Sequence, residues 1–292
     1  MTNAVLLYDG NVCSTPMIDY ARNFADVTVP IREHLDYYKF KDTLSDAEFV
    51  AFTSRELGAI FDRVMTPFLQ HHDVNEFRSP PELPSKAECE HVFFKWRLPP
   101  SRIENIGPFR DVFEKAEARP VTLLRRSVAE QSLKVVLSKK FYGNIHPQFA
   151  MRVGDFSDEV YEDYMARQAE VLLTLEEDDI QDVIAFASSF VGGSRRIRED
   201  FSRFFPGHDL PIVIAEHVFA PGLQVPTYER VMSRILGAPV AFHAPLVAEY
   251  RKSGLNLEHC ANHEEVLAHP ELVELDAKHQ DLLSKGAIIS KA

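Results

Sequence analysis

A series of short apolar runs, each closed by a turn or proline signal and most followed by a stretch with helical spacing, constrains this chain more than any other feature. The first is Ala4-Val5-Leu6-Leu7-Tyr8, which stops at Asp9-Gly10. Residues 26–29 form a second, shorter run, His91 to Trp96 a third that ends before Pro99-Pro100, and Pro120 to Leu124 a fourth that runs into Arg125-Arg126. Pro211 to Phe219 comes late. Runs of this length are too short for a buried helix, and they lack the apolar–polar alternation of a half-exposed strand, so they read as strands covered on both faces. Strands of that kind occur in parallel sheets, where each crossover needs a helix.

The segments between them supply those helices. In residues 15–24, Met17, Ile18, Ala21 and Phe24 recur at helical spacing behind Ser14 or Thr15 as N-cap. Ser45 opens a helix expected over 45–70, with Phe49, Phe52, Leu57, Ile60, Phe61 and Val64 as its buried stripe. Residues 73–90 are polar, carry Pro80, Pro81 and Pro84, and read as a surface loop. Further helices are expected at 101–117, 127–140 and, strongly charged, within 157–205; another spans 226–236 and ends at Gly237. The pattern predicts an α/β protein with a mostly parallel sheet, helices on both of its faces, and one domain over 1–292 with a helical insertion around 145–205.

Composition narrows the partners. The 292 residues carry a formal net charge of −12, which argues against non-specific binding to nucleic acid or to an anionic membrane. No apolar stretch approaches the roughly 18 residues of a membrane span, and the N-terminus lacks the basic and long apolar regions of a signal peptide. Cys13, Cys89 and Cys260 lie far apart with no CxxC pair, so neither a zinc site nor a disulfide framework is expected, and a reduced, cytoplasmic chain is. His71-His72-Asp73 looks like a ligand cluster, but adjacent residues at a helix end point in different directions, and no metal is expected there.

Two places offer chemistry. In an open α/β sheet, ligands sit beyond the carboxyl ends of the strands. After the first strand, Asn11-Val12-Cys13-Ser14-Thr15 runs into a helix N-terminus, where unpaired amides and the positive end of the dipole suit a phosphate and two hydroxyls add donors. The loop has one glycine and no lysine, so it does not fit the GxxxxGK[ST] pattern. After the fourth run, Arg125 and Arg126 open a helix that carries Ser127, Gln131, Ser132 and Lys134, and an arginine fork binds phosphate through two parallel hydrogen bonds.

In order and spacing these blocks resemble the sulfotransferases, closest to their bacterial carbohydrate sulfotransferase-like branch. Asn11 to Thr15 stand in the place of that family's Pro-Arg-Ser-Gly-Ser-Thr loop, and Val29-Pro30-Ile31-Arg32-Glu33-His34-Leu35 is similar to the segment bearing its catalytic glutamate. Phe93-Phe94-Lys95-Trp96, Leu123 to Arg126 and Gln131 are similar to the strand–Arg–helix site for a 3′-phosphate. Ile212 to Glu216, Leu236-Gly237 and Asn262-His263-Glu264-Glu265 resemble the late strand, the turn and the C-terminal stretch of the family. The resemblance implies a three-layer P-loop-type fold and transfer of a sulfuryl group from 3′-phosphoadenosine 5′-phosphosulfate to the hydroxyl of a small acceptor, without a metal. It implies Glu33 as general base, with His34 as the alternative. Asn11, Val12, Cys13, Ser14 and Thr15 would hold the 5′-phosphosulfate, and Arg125, Arg126, Ser132 and Lys134 the 3′-phosphate. Asn11 replaces the loop's usual basic residue and Cys13 its usual glycine, while Lys134 falls where the branch has a serine. Lys95 or Arg32 then stands as the replacement cation. The other reading is a non-catalytic nucleotide-binding or interaction protein on the same fold.

Overall fold

The structure is a computed structural model that describes residues 2–8, 17, 18, 21, 24, 27, 28, 35–71, 90–143, 166–219, 224–241 and 255–289. Each apolar run that the sequence offers as a strand contains one, and a short strand near residue 287 that the runs do not announce joins them. β1 (Thr2–Leu7), β2 (Val27–Thr28), β3 (His91–Trp96), β4 (Arg119–Leu124), β5 (Pro211–Ile214) and β6 (Ala287–Ile288) form one sheet in the order β2-β3-β1-β4-β5-β6. Every neighbouring pair is parallel, with Leu6 level with Lys95 and Leu7 level with Thr122. β1 and β3 are buried on both faces, which is why their sequences show no alternation.

Helices among the described residues include α1 (Tyr37–Phe40), α2 (Asp46–Phe61), α3 (Pro67–His71), α4 (Gly107–Lys115), α5 (Val128–Tyr142), α6 (Glu177–Phe204), α7 (Ala215–Phe219), α8 (Val225–Leu236), α9 (His263–Leu267) and α10 (Pro270–Ser284). On one face of the sheet, Ala4, Leu6, Phe93, Val121, Leu123 and Val213 pack with Met17, Ile18 and Ala21 and with Tyr228, Met232 and Ile235 of α8. On the other, Phe94 and Trp96 meet a layer of rings: Phe61 from α2, Phe109 and Phe113 from α4, and Phe204 at the end of α6. Three layers result, as the alternating pattern requires.

Several boundaries differ from the expectation: the helix expected over 101–117 begins only at Gly107, the stretch expected to be helical over 157–205 is not helical at 170–176, and two further cases have a clear cause. The single helix over 45–70 is two, because the chain turns after Phe61. Arg63 takes a left-handed conformation at φ 58°, its guanidinium donates to the carbonyls of Phe61 and Glu90, and Pro67 opens the next helix. The turn lets Thr66 donate its hydroxyl to Glu56, whose side chain is buried and also paired with Arg55 at 2.8 Å. The run Pro211 to Phe219 is strand only to Ile214, and its second half is α7. A continuous apolar stretch does not distinguish buried strand from buried helix by its period.

The chain divides into two compact units. The first holds residues 1–124, 195–248 and 286–292 and therefore the whole sheet. The second, 125–194 and 249–285, is built of helices around Leu133, Val136, Leu137, Val183, Ala187 and Leu272. α6 belongs to the second unit up to Ser194 and to the first from Arg195. In the second unit Asn262 accepts from the amide of Leu175 and donates to its carbonyl, both at 3.0 Å, acting as a one-residue strand partner. Of the insertion expected around 145–205, residues 145–165 lie outside the described residues. No helix among the described residues is long and apolar enough to cross a membrane.

Candidate functional site

The strand order changes direction at the centre of the sheet. From β1 the chain leaves toward β2, on one side, and from β4 it leaves toward β5, on the other. Connections that diverge from adjacent parallel strands leave an opening at their carboxyl ends. β1 and β4 are such neighbours, and Thr122 ties them at that end by donating its hydroxyl to the Leu7 carbonyl at 2.9 Å. The loop containing Asn11, Val12, Cys13, Ser14 and Thr15 follows β1, and Arg125-Arg126 follow β4 in the chain. These five loop residues, with Arg32, Glu33 and His34, lie outside the described residues. Their boundaries are described: Tyr8 before the loop and Met17 after it are buried, and Leu35 and Asp36 follow His34, with Asp36 capping α1 by accepting from the amide of Tyr38.

Lys95 sits on the other side of β1. It is next to last in β3, only 1% exposed, and its ammonium lies 5.0 Å from the centre of the Tyr8 ring. By strand alternation it shares the face of Phe93, the one packed against Met17, Ile18 and Ala21. One residue beyond β3, the Arg97 guanidinium lies 4.6 Å over the half-exposed ring of Tyr38 and 3.6 Å from Asp36. Arg102 covers Tyr37 in the same way, and its hydrogen bond to the Tyr37 hydroxyl, with a smaller contribution from Asp46, raises its pKa. This layer of arginine on tyrosine was not foreseen, since nothing in the spacing of residues 36–38 and 97–102 links the two segments.

In the second unit the start of α5 carries the other predicted residues. Arg125 is half-buried and Arg126 exposed. Ser127 caps the helix by accepting from the Glu130 amide at 3.0 Å. The Val128 and Ala129 amides donate to Asp276 Oδ1 at 2.8 and 3.0 Å, and the Ser127 hydroxyl donates to Asp276 Oδ2 at 2.7 Å. The first three amides of α5 are thus all engaged within the chain. Ser132 is buried and its hydroxyl donates to the Val128 carbonyl inside the helix, so the structure commits it to its own backbone. Lys134 lies on the outer side, 3.9 Å from Glu130 one turn earlier.

No family model, curated protein or solved structure matches this chain.

The remaining blocks are placed as follows. Glu216 is in the first turn of α7, directly after β5, and Gly237 ends α8 in a left-handed conformation at φ 69°. Asn262 serves the Leu175 backbone, and the imidazole of His263 bonds to the Cys260 carbonyl at 2.9 Å. Among the described residues no group of three His, Cys, Asp or Glu side chains is placed to hold a metal ion. Sequence reasoning missed Asp276, His279 and Gln280, which bond to the arginine turn. The only signal available was their spacing, which puts three polar groups on one face of α10.

Proposed function

We propose that this chain is a sulfotransferase that moves a sulfuryl group from 3′-phosphoadenosine 5′-phosphosulfate to an acceptor hydroxyl. The observation that supports it best is the pairing of β1 with β4: the strand that delivers Asn11 to Thr15 and the strand that delivers Arg125-Arg126 are parallel neighbours at the point where the connections diverge. A donor with a phosphate at each end of its ribose takes two anion-binding groups, and residues that follow two neighbouring strands at such a point suit it. The 5′-phosphosulfate is assigned to residues 11–15. The 3′-phosphate is assigned to the guanidinium groups of Arg125 and Arg126 rather than to the α5 amides, which Asp276 and Ser127 already occupy.

In the reaction the acceptor oxygen bonds to sulfur as the bond from sulfur to the bridging oxygen breaks, in line. Adenosine 3′,5′-bisphosphate leaves, and Glu33, or His34 in its place, takes the hydroxyl proton. Negative charge develops on the bridging oxygen. With Asn11 in place of the loop cation, Lys95 is the cation assigned to it, held in a dry environment where a positive charge acts strongly. Glu33→Gln keeps shape and removes the base, so transfer should fall by roughly 10²–10⁴-fold with nucleotide binding nearly unchanged.

The test is a calorimetric titration with adenosine 3′,5′-bisphosphate, followed by transfer of labelled sulfate to a panel of hydroxylated sugars, lipids, peptides and small metabolites. Binding with transfer supports the assignment, and absence of binding sinks it. Asn11 favours a second reading, nucleotide binding without turnover. Tight binding with no transfer to any acceptor decides for that one.

A further inference from the structure

α10 meets the arginine turn with three polar side chains from one face, and all three address backbone or cap groups. Asp276 takes the Val128 and Ala129 amides and the Ser127 hydroxyl. One turn on, Nε2 of His279, a buried residue, lies 2.7 Å from the Arg125 carbonyl, and because a carbonyl only accepts, that nitrogen carries the proton. The next residue, Gln280, donates its side-chain amide to the Arg126 carbonyl. Five consecutive residues, 125–129, are therefore held from a single helix face.

A hydrogen bond to a carbonyl fixes the rotation of that peptide plane, and two successive planes fix the direction in which the side chain between them leaves the backbone. The planes held by His279 and Gln280 are those on either side of the Arg126 Cα. We infer that His279 and Gln280 are positioning residues for the Arg125-Arg126 pair, with Asp276 anchoring the helix behind it, so that α10 sets how strongly the turn discriminates in favour of a 3′-phosphate. This rests on the bisphosphate reading above. Simple docking of α10 on α5 would need only apolar contact, and Leu272 already supplies that in the core of this unit.

The experiment compares adenosine 3′,5′-bisphosphate with adenosine 5′-monophosphate by calorimetry, with a thermal melt of each variant. His279→Phe keeps a ring of similar size and loses the donor, whereas His279→Gln offers an amide donor in its place. Gln280 is exposed, so Gln280→Ala leaves the fold intact and carries the test even if His279→Phe fails to fold. Loss of one such hydrogen bond should lower affinity for the bisphosphate about 3–10-fold and leave that for the monophosphate unchanged. His279→Gln should restore most of the preference, and His279→Phe added to Arg126→Ala should lower affinity little beyond Arg126→Ala alone, because it acts through that arginine. An unchanged preference in Gln280→Ala, or full additivity of His279→Phe with Arg126→Ala, overturns the positioning role. A wild-type chain with no preference for the bisphosphate overturns the bisphosphate reading and the positioning role with it.

Discussion

An ammonium group withdrawn from water needs partners, and Lys95 has its charge directed at the face of Tyr8 at the carboxyl end of the central strands. Lys95→Met preserves the volume and removes the charge. If Lys95 neutralises the bridging oxygen, sulfate transfer should drop by roughly 10²–10³-fold, while affinity for the bisphosphate product, which lacks the sulfuryl group, changes far less. A transfer assay beside a binding titration checks this, and an unimpaired rate would move the role to Arg32. At the other assigned group, Arg125→Ala or Arg126→Ala should weaken bisphosphate binding by about 1.5–3 kcal/mol, the range for a charge-assisted hydrogen bond. Lys134→Ala should weaken it less, since that side chain is a flexible point charge drawn toward Glu130 at 3.9 Å. Equal dissociation constants for wild type and both arginine variants would remove the 3′-phosphate from this turn.

At the scale of single elements, α2 and α8 show how short sequence signals become stability. Ser45 accepts from the Glu48 amide, and Glu48 reaches back to the Ser45 amide at 2.9 Å, completing the capping box. Ser45→Ala should lower unfolding free energy by about 1 kcal/mol, read from a urea midpoint. The hydrogen bond from the Ser45 hydroxyl, and then that from its amide, hold the Glu48 carboxyl below its ordinary pKa. A group with a lowered folded pKa stabilises the fold above its unfolded pKa, and that contribution disappears as pH falls through the folded value. The difference between wild type and Ser45→Ala should therefore be full at neutral pH and shrink in acid. Gly237, at φ 69°, closes α8, and a Cβ there would lie 2.1 Å from Nη1 of Arg119. Gly237→Ala should cost about 1–2 kcal/mol for the left-handed backbone, with Arg119 displaced in addition.

Across the whole molecule, each unit has its own core and so its own reporter. The single tryptophan, Trp96, is 1% exposed among Phe109, Phe113 and Phe204, and its fluorescence follows the sheet-bearing unit. Leu123→Ala, fully buried in β4, should cost about 2–5 kcal/mol and move the urea midpoint of that fluorescence. Leu133→Ala in the second core should cost a similar amount and be read in the helical circular dichroism. An unshifted midpoint in either case would mean that the site repacks around the lost side chain.

Much of this architecture is written in local pattern. Continuous apolar runs of four to six residues, such as Ala4 to Tyr8 and His91 to Trp96, have to be covered on both faces, so they determine a parallel sheet flanked by helices; Ser45 and Gly237 mark where two of those helices begin and end. What local pattern does not carry is which groups from distant segments meet. The break at Arg63 depends on a carbonyl 27 residues away, at Glu90. The order of the strands, which makes β1 and β4 neighbours, follows from how the whole sheet buries its faces. The α5 amides open the helix directly behind the two arginines, yet they are taken by Asp276 from a position 148 residues further along. A carboxylate of the chain satisfies a helix N-terminus as well as a phosphate does, and which of them arrives there is decided only when α10 folds back on α5.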